Sequence, residues 1–206
     1  MHLAPMNRRR SDRGTSLAEA LVVLWLIGLG AILSFPALTV ARHGWAMNST
    51  SRRITALMIR ARTTATAEGR ACSLVFERHA ASWQCFIARD NDDDGVNRRD
   101  LAAGIDTILS ERVELEDHPA GLGILHDFPV PDPSGHGLLG GNLEDPVRAG
   151  RGDIVTFTRE ATATPCSIYI TDGESRMRVI RLFGPTARFR VLEWRLGWRN
   201  WQRARW

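Results

Sequence analysis

The sequence contains no lysine, and all 27 of its basic residues are arginine. It also lacks a Cys-x-x-Cys pair, a Gly-x-Ser-x-Gly elbow, a phosphate-cradling P-loop and a His-Glu-x-x-His pair. Six histidines are present (His2, His43, His79, His118, His126, His136), but none recurs at a metal-ligand spacing. These absences exclude the thiol-redox, serine-hydrolase, nucleotide-hydrolysing and zinc-protease classes that depend on those motifs. The chain is expected not to be an enzyme. Cysteine is scarce too, with only Cys72, Cys85 and Cys166, which is too few for a disulfide scaffold. In an oxidising compartment one bridge could form with one thiol left over. Cys72 and Cys85 flank an expected hairpin and are the expected pair; the alternative is three small buried apolar side chains.

Charge is present but unevenly spread. The net value of +4 hides a segment from Asp90 to Asp145 with 14 acidic residues against Arg98, Arg99 and Arg112. From Arg176 to Trp206 the bias reverses, with nine arginines against Glu193. Segregation of this kind points to charge-complementary contacts, within an assembly or with a polyanion.

One uncharged run dominates the chain. Residues 1–14 hold Arg8, Arg9, Arg10 and Arg13 against Asp12, and Ala20 to Ala41 then contains no charge at all. A helix over those 22 residues rises about 33 Å, enough to cross the hydrocarbon core of a bilayer. Glu19 stands at its mouth, where a carboxylate needs a partner. With the arginines ahead of the span, the expected placement is a single-pass inner-membrane protein whose C-terminal domain is periplasmic. Ile54, Leu57, Met58, Ala61 and Ala65 continue a helical stripe, and Gly69 is a natural stop. One helix is therefore expected over 15–68, bent near Pro36, its first half spanning the membrane at about 20–41 and its second half amphipathic.

Beyond it, residues 69–206 read as a β domain. Strands are expected at Cys72–Phe76 and Ser82–Ile87 around a turn near Ala80, and in shorter form at Thr107–Leu109 and Val113–Leu115. Others are expected at Asp153–Thr158, Cys166–Ile170, Met177–Leu182 and Ala187–Trp194. The Gly- and Pro-rich stretch 119–152 reads as a long surface loop. The fold class is α+β: a long N-terminal helix packed on a C-terminal antiparallel sheet domain.

Two further stretches could carry binding chemistry. Asp90, Asp92 and Asp94 with Gly95 resemble the opening of an EF-hand loop and offer oxygen ligands to Ca²⁺, although position 12 falls on Leu101. The plain alternative is an Asp/Asn/Gly turn. The tail from Trp194 interleaves Trp with Arg, and Arg188, Arg190, Arg195 and Arg199 would suit DNA or another polyanion. A basic surface strand with a frayed end explains the same composition.

Gly14, Glu19, the Leu21-Val22-Val23-Leu24 run, Gly28 and Pro36 resemble the N-terminal signature of type IV prepilins and type II secretion pseudopilins. The acidic turn after the second strand, Ile154-Val155-Thr156-Phe157 and the late Arg-Val-Ile-Arg-Leu-Phe-Gly run resemble the GspH/FimT family within it. The resemblance implies cleavage between Gly14 and Thr15 by a prepilin peptidase, methylation of the new terminus, and a Glu19 that pairs with the amine of a neighbouring subunit. It implies a minor pseudopilin of a type II secretion system, assembled with other pilin or pseudopilin subunits through the N-terminal helix. The related alternative is a minor pilin of a type IV pilus, in pilus assembly or DNA uptake. An alternative of another class is a secreted, Ca²⁺-binding β protein released by signal peptidase after Ala41.

Overall fold

The computed structural model describes residues 16–80, 82–116, 118–150 and 152–204, except the side chains at 33, 35–37, 39 and 40. The chain divides into two units, Met1–Ala41 and Arg42–Trp206, each taken by itself below.

Helix α1 (Leu17–Glu68) has 52 residues and contributes to both units. Its start is set locally. The backbone N–H of Glu19 donates to Ser16 Oγ at 3.2 Å, so Ser16 caps one of the free donors of the first turn. Glu19, three residues on, places negative charge at the positive end of the helix. At the other end Gly69 takes a positive φ of 65° and stops the helix. The bend expected near Pro36 falls on a residue whose side chain is outside the description, and the helical backbone is unbroken there.

In the second unit the expected stripe is the buried face of α1. Ile54, Met58, Ala61 and Ala65 are all buried, Leu57 is partly so, and Arg52, Arg53 and Arg60 lie on exposed faces. The stripe packs between two antiparallel sheets. The first contains β1 (Cys72–His79), β2 (Ser82–Arg89), β3 (Thr107–Ile108), β4 (Val113–Glu114) and β7 (Ile154–Phe157). Its order is β3-β2-β1-β7, with β4 also paired to β2. The second contains β5 (Gly121–Leu122), β6 (Val147–Ala149), β8 (Cys166–Thr171), β9 (Arg176–Phe183), β10 (Arg188–Arg195) and β11 (Gln202–Arg203). Its order is β11-β10-β9-β8-β5, with β6 also on β8. A mixed helix and antiparallel-sheet fold of the α+β class is therefore present. A short helix that the sequence reading lacked, α2 (Arg98–Ala103), is capped by the Asn97 side chain and closed by Gly104 at φ 73°.

The main core joins the α1 stripe to Leu74, Phe76 and Ile87 of the first sheet and to Ile168, Ile170, Ile180 and Leu182 of the second. A second core lies on the other face of the six-stranded sheet. There Ile124, Leu125, Val130 and Leu139 cover Tyr169, Met177, Val179 and Trp194. The stretch 119–152 is thus more than a surface loop: it supplies β5, β6 and the cover of that sheet.

The inner-membrane, single-pass placement is corrected. Among the described residues no helix is long and apolar enough to cross a membrane.

Candidate functional site

The first unit offers one apolar surface. Leu21, Leu24, Trp25, Ile27 and Ile32 point in different directions around the helix and are 54–72% exposed with their neighbour Leu26. A helix that is apolar on all sides is ordinarily covered by something, because each such side chain gains about 1.5–3 kcal/mol on full burial. Glu19 is exposed at its start. Gly14 and Thr15, the expected cleavage pair, lie outside the described residues.

The expected Cys72–Cys85 disulfide is corrected. All three cysteines are free and buried. In the β1–β2 register Cys72 lies opposite Arg89 and Cys85 opposite Phe76. The two are thus four positions apart along the hairpin, about 13 Å, whereas a bridge needs Cα atoms within about 7 Å. Burial pushes the thiols up, Cys72 to about 11 with a further push from Glu68, and Cys85 and Cys166 to about 12. They behave as small apolar core residues.

The Asp90 turn follows β2. Asp90 is buried, and its carboxylate accepts the N–H groups of Asp92 (3.2 Å), Asp93 (2.8 Å) and Gly95 (2.9 Å). Asp92 and Asp94 are exposed, and one carboxylate oxygen from each of Asp90, Asp92 and Asp94 lies within 4.8 Å of the others. Oxygens so placed suit a hard cation. The rest of the EF-hand pattern is absent: Leu101 sits in α2 against Val75, Phe86 and Val96, and Asp100 accepts from Asn97 Nδ2. Asp90 acts as the cap of its own turn.

The Arg/Trp tail is divided by the fold. Trp194 is buried and donates from Nε1 to the Trp198 carbonyl at 2.8 Å. Trp201 donates from Nε1 to the Pro131 carbonyl at 2.6 Å, and both it and Trp198 pack on the second core. These indoles tie the tail to the domain, so they are not free to stack on bases. Arg195 pairs with Glu193 at 2.7 Å, and its guanidinium carbon lies 5.3 Å from the Trp198 ring. Arg199 is exposed in the turn after β10. Arg188 and Arg190 are exposed on the opposite face of β10 from Glu193 and Arg195, because successive side chains alternate. The structure gathers those two with Arg181 and Arg148 instead, which the sequence reading did not single out.

It also missed a buried polar group between α1 and the six-stranded sheet. Arg178 is buried in β9, donates from Nη2 to Glu193 Oε2 at 2.8 Å and from Nη1 to Asn48 Oδ1. Burial works against ionisation of Glu193, but hydrogen bonds from Arg195 and Arg178 outweigh it and hold the carboxyl below its usual range. Nearby in the sheet's turn, Asp172 Oδ1 accepts the N–H groups of Glu174, Ser175 and Arg176 at 2.9–3.0 Å. Its buried Oδ2 faces His43 Nδ1 of α1 at 3.5 Å. The sequence signal was slight: an arginine alternating with Met177 and Val179 on a strand.

Comparison of the chain with known protein families, with curated proteins and with solved structures finds no match.

Proposed function

We propose that the chain is a pilin-like assembly subunit, with the role of a minor pseudopilin in a type II secretion system. The observation that carries this reading is the two-part use of α1. Its second part is buried in the domain on one stripe, while its first part is apolar and uncovered around its circumference. Equivalent helices of other pilin or pseudopilin subunits are the cover with matching chemistry, since helix-on-helix packing buries such a surface on every side. In that bundle the exposed carboxylate of Glu19 meets the amine that cleavage between Gly14 and Thr15 would create on a neighbour. Each charge alone is costly in an apolar surround and is tolerated when paired. The Ser16 cap holds the first turn, and with it Glu19, in helical form.

The test combines a mass with an assembly assay. The mature chain is expected to begin at N-methylated Thr15, and to be recovered with other pilin-like subunits from cells in which it is expressed at native level. Glu19→Leu and Leu24→Asp should each reduce that recovery at least tenfold with the domain still folded. A mature terminus at Arg42, or unchanged recovery of both variants, overturns the reading. Recovery with pilus rather than secretion subunits would move the chain to the type IV minor pilins.

A further inference from the structure

The pairing register places a row of arginines across the outer face of the six-stranded sheet. Arg190 of β10 lies opposite Arg181 of β9, Arg181 opposite Ser167 of β8, and Ser167 opposite Arg148 of β6. Residues in direct register share a face, so Arg190, Arg181 and Arg148 stand in one line. Neighbouring strands are about 4.8 Å apart, which makes the line about 14 Å long. Arg188 extends it one level along β10, opposite Phe183, which is 66% exposed. Arg148 lies against the Tyr169 ring at 5.2 Å. Burial disfavours ionisation of Asp132, but hydrogen bonds from Ser134, with the charges of Arg181 and Arg148 behind them, hold its carboxyl below the usual range. Like charges directly opposite one another on a sheet are unfavourable. Among the described residues none of Arg148, Arg181 and Arg190 forms an ion pair, although the charge of Asp132 bears on Arg181 and Arg148.

The chain carries the complementary shape elsewhere. In the turn after β2, Asp92, Asp93 and Asp94 are exposed in succession, and none forms an ion pair among the described residues. The cation that bears on Asp93, Arg159, is itself bonded to Glu160 at 2.7 Å. Asp92 and Asp94 each present a carboxylate oxygen within 4.8 Å of the other, so the turn offers its negative charge at one place. The turn belongs to the five-stranded sheet, and the arginine row faces away from the core that the two sheets share. One copy cannot bring the two together.

We propose that the Arg148–Arg181–Arg190 row of one copy receives the Asp92–Asp94 turn of a second copy. The contact is head to tail and independent of the apolar helix. It uses different surfaces on the two partners, so it propagates along a line of subunits unless the rotation closes it. Being exposed and ionic, it weakens with salt.

The experiment uses the full chain in mild detergent. One preparation carries Asp93→Cys and another Arg188→Cys, and the mixture is treated with a short bismaleimide. A heterodimer linked between these positions is expected at 50 mM salt (about one third of physiological ionic strength) and at least tenfold less at about 1 M. Arg181→Glu with Arg190→Glu should abolish it. Mixing that chain with one carrying Asp92→Arg and Asp94→Arg should restore it. A yield unchanged by charge reversal, or no restoration on exchange, overturns the proposal. So does a row that binds a single-stranded oligonucleotide with no heterodimer in its absence, which would make it a nucleic-acid surface. A separate Leu24→Cys crosslink reports association through the helix, so failure of the helix reading and failure of this one are told apart.

Discussion

Arg178 and Glu193 face each other in register on β9 and β10, with the guanidinium bonded to the carboxylate at 2.8 Å and to Asn48 of α1. The pair is buried, so the two charges depend on each other. Removing one leaves the other desolvated and unpaired, a loss of about 3–5 kcal/mol. Glu193→Leu should therefore destabilise the domain by about that amount in urea unfolding. Replacing both, with Arg178→Met added, should recover most of the loss, because an apolar pair has no desolvation cost to offset. A double variant as unstable as the single would show that the Asn48 link to α1, more than the ion pair, is what matters.

Acid should loosen the same region. Asp172 is buried, which disfavours its charge, but the N–H groups of Ser175, Arg176 and Glu174 and the His43 ring hold its carboxyl below the usual range. Glu193 is lowered as well. For a carboxyl with a lowered folded-state pKa, the stabilisation is complete above the unfolded value of about 4 and is lost as pH falls through the folded value. Stability should thus decline from about pH 5 downward, each group adding a slope of up to about 1.4 kcal/mol per pH unit. Asp172→Asn should be less stable than the parent near neutrality and have a shallower acid limb. Parallel limbs for parent and variant in urea melts over that range would refute the assignment.

Gly184 closes the link between β9 and β10, and space there is short. A Cβ at this position would sit 2.7 Å from the Ala163 carbonyl oxygen and 3.1 Å from Pro165 Cδ. The obstruction is backbone that is itself fixed, since the Ala163 N–H donates to the Gly184 carbonyl at 2.8 Å. Gly184→Ala should cost about 1–3 kcal/mol as overpacking. Gly140→Ala, with nothing within 4 Å of its Cβ, is the control and should stay within about 0.5 kcal/mol of the parent. Equal melting temperatures for the two variants would contradict the packing argument.

Regular elements were readable where side-chain period and burial coincide. The Ile54–Ala65 stripe, the β1–β2 hairpin and the strands from β7 to β10 all alternate or recur at the spacing their packing demands. The stretch 119–152 was opaque because its buried residues, Ile124, Leu125, Val130 and Leu139, follow no period. They cover the sheet from an irregular backbone pinned by the Pro131–Leu138 bridge and the Trp201 indole. Helix α2 was hidden by its six-residue length, although Asn97 and Gly104 mark its ends. The arginine row was invisible for another reason: Arg148, Arg181 and Arg190 are far apart in sequence and meet only through register. The same holds for Arg178, whose neighbours in sequence say nothing of Glu193.

Register also decides the cysteine chemistry. Because Cys72 faces Arg89 and Cys85 faces Phe76, the hairpin holds the two thiols apart, and burial keeps each protonated well above neutral pH. Nucleophilic attack needs the thiolate, so a folded chain should resist thiol reagents at about pH 8. Mass spectrometry after brief alkylation should find Cys72, Cys85 and Cys166 unmodified in native buffer and all modified in denaturant. Chain purified without reductant should show the mass of free thiols, and its melting temperature should not move when reductant is added. A native Cys72–Cys85 crosslink would require the β1–β2 pairing to slip by four residues, which would carry Leu74, Phe76 and Ile87 out of the core register they now share.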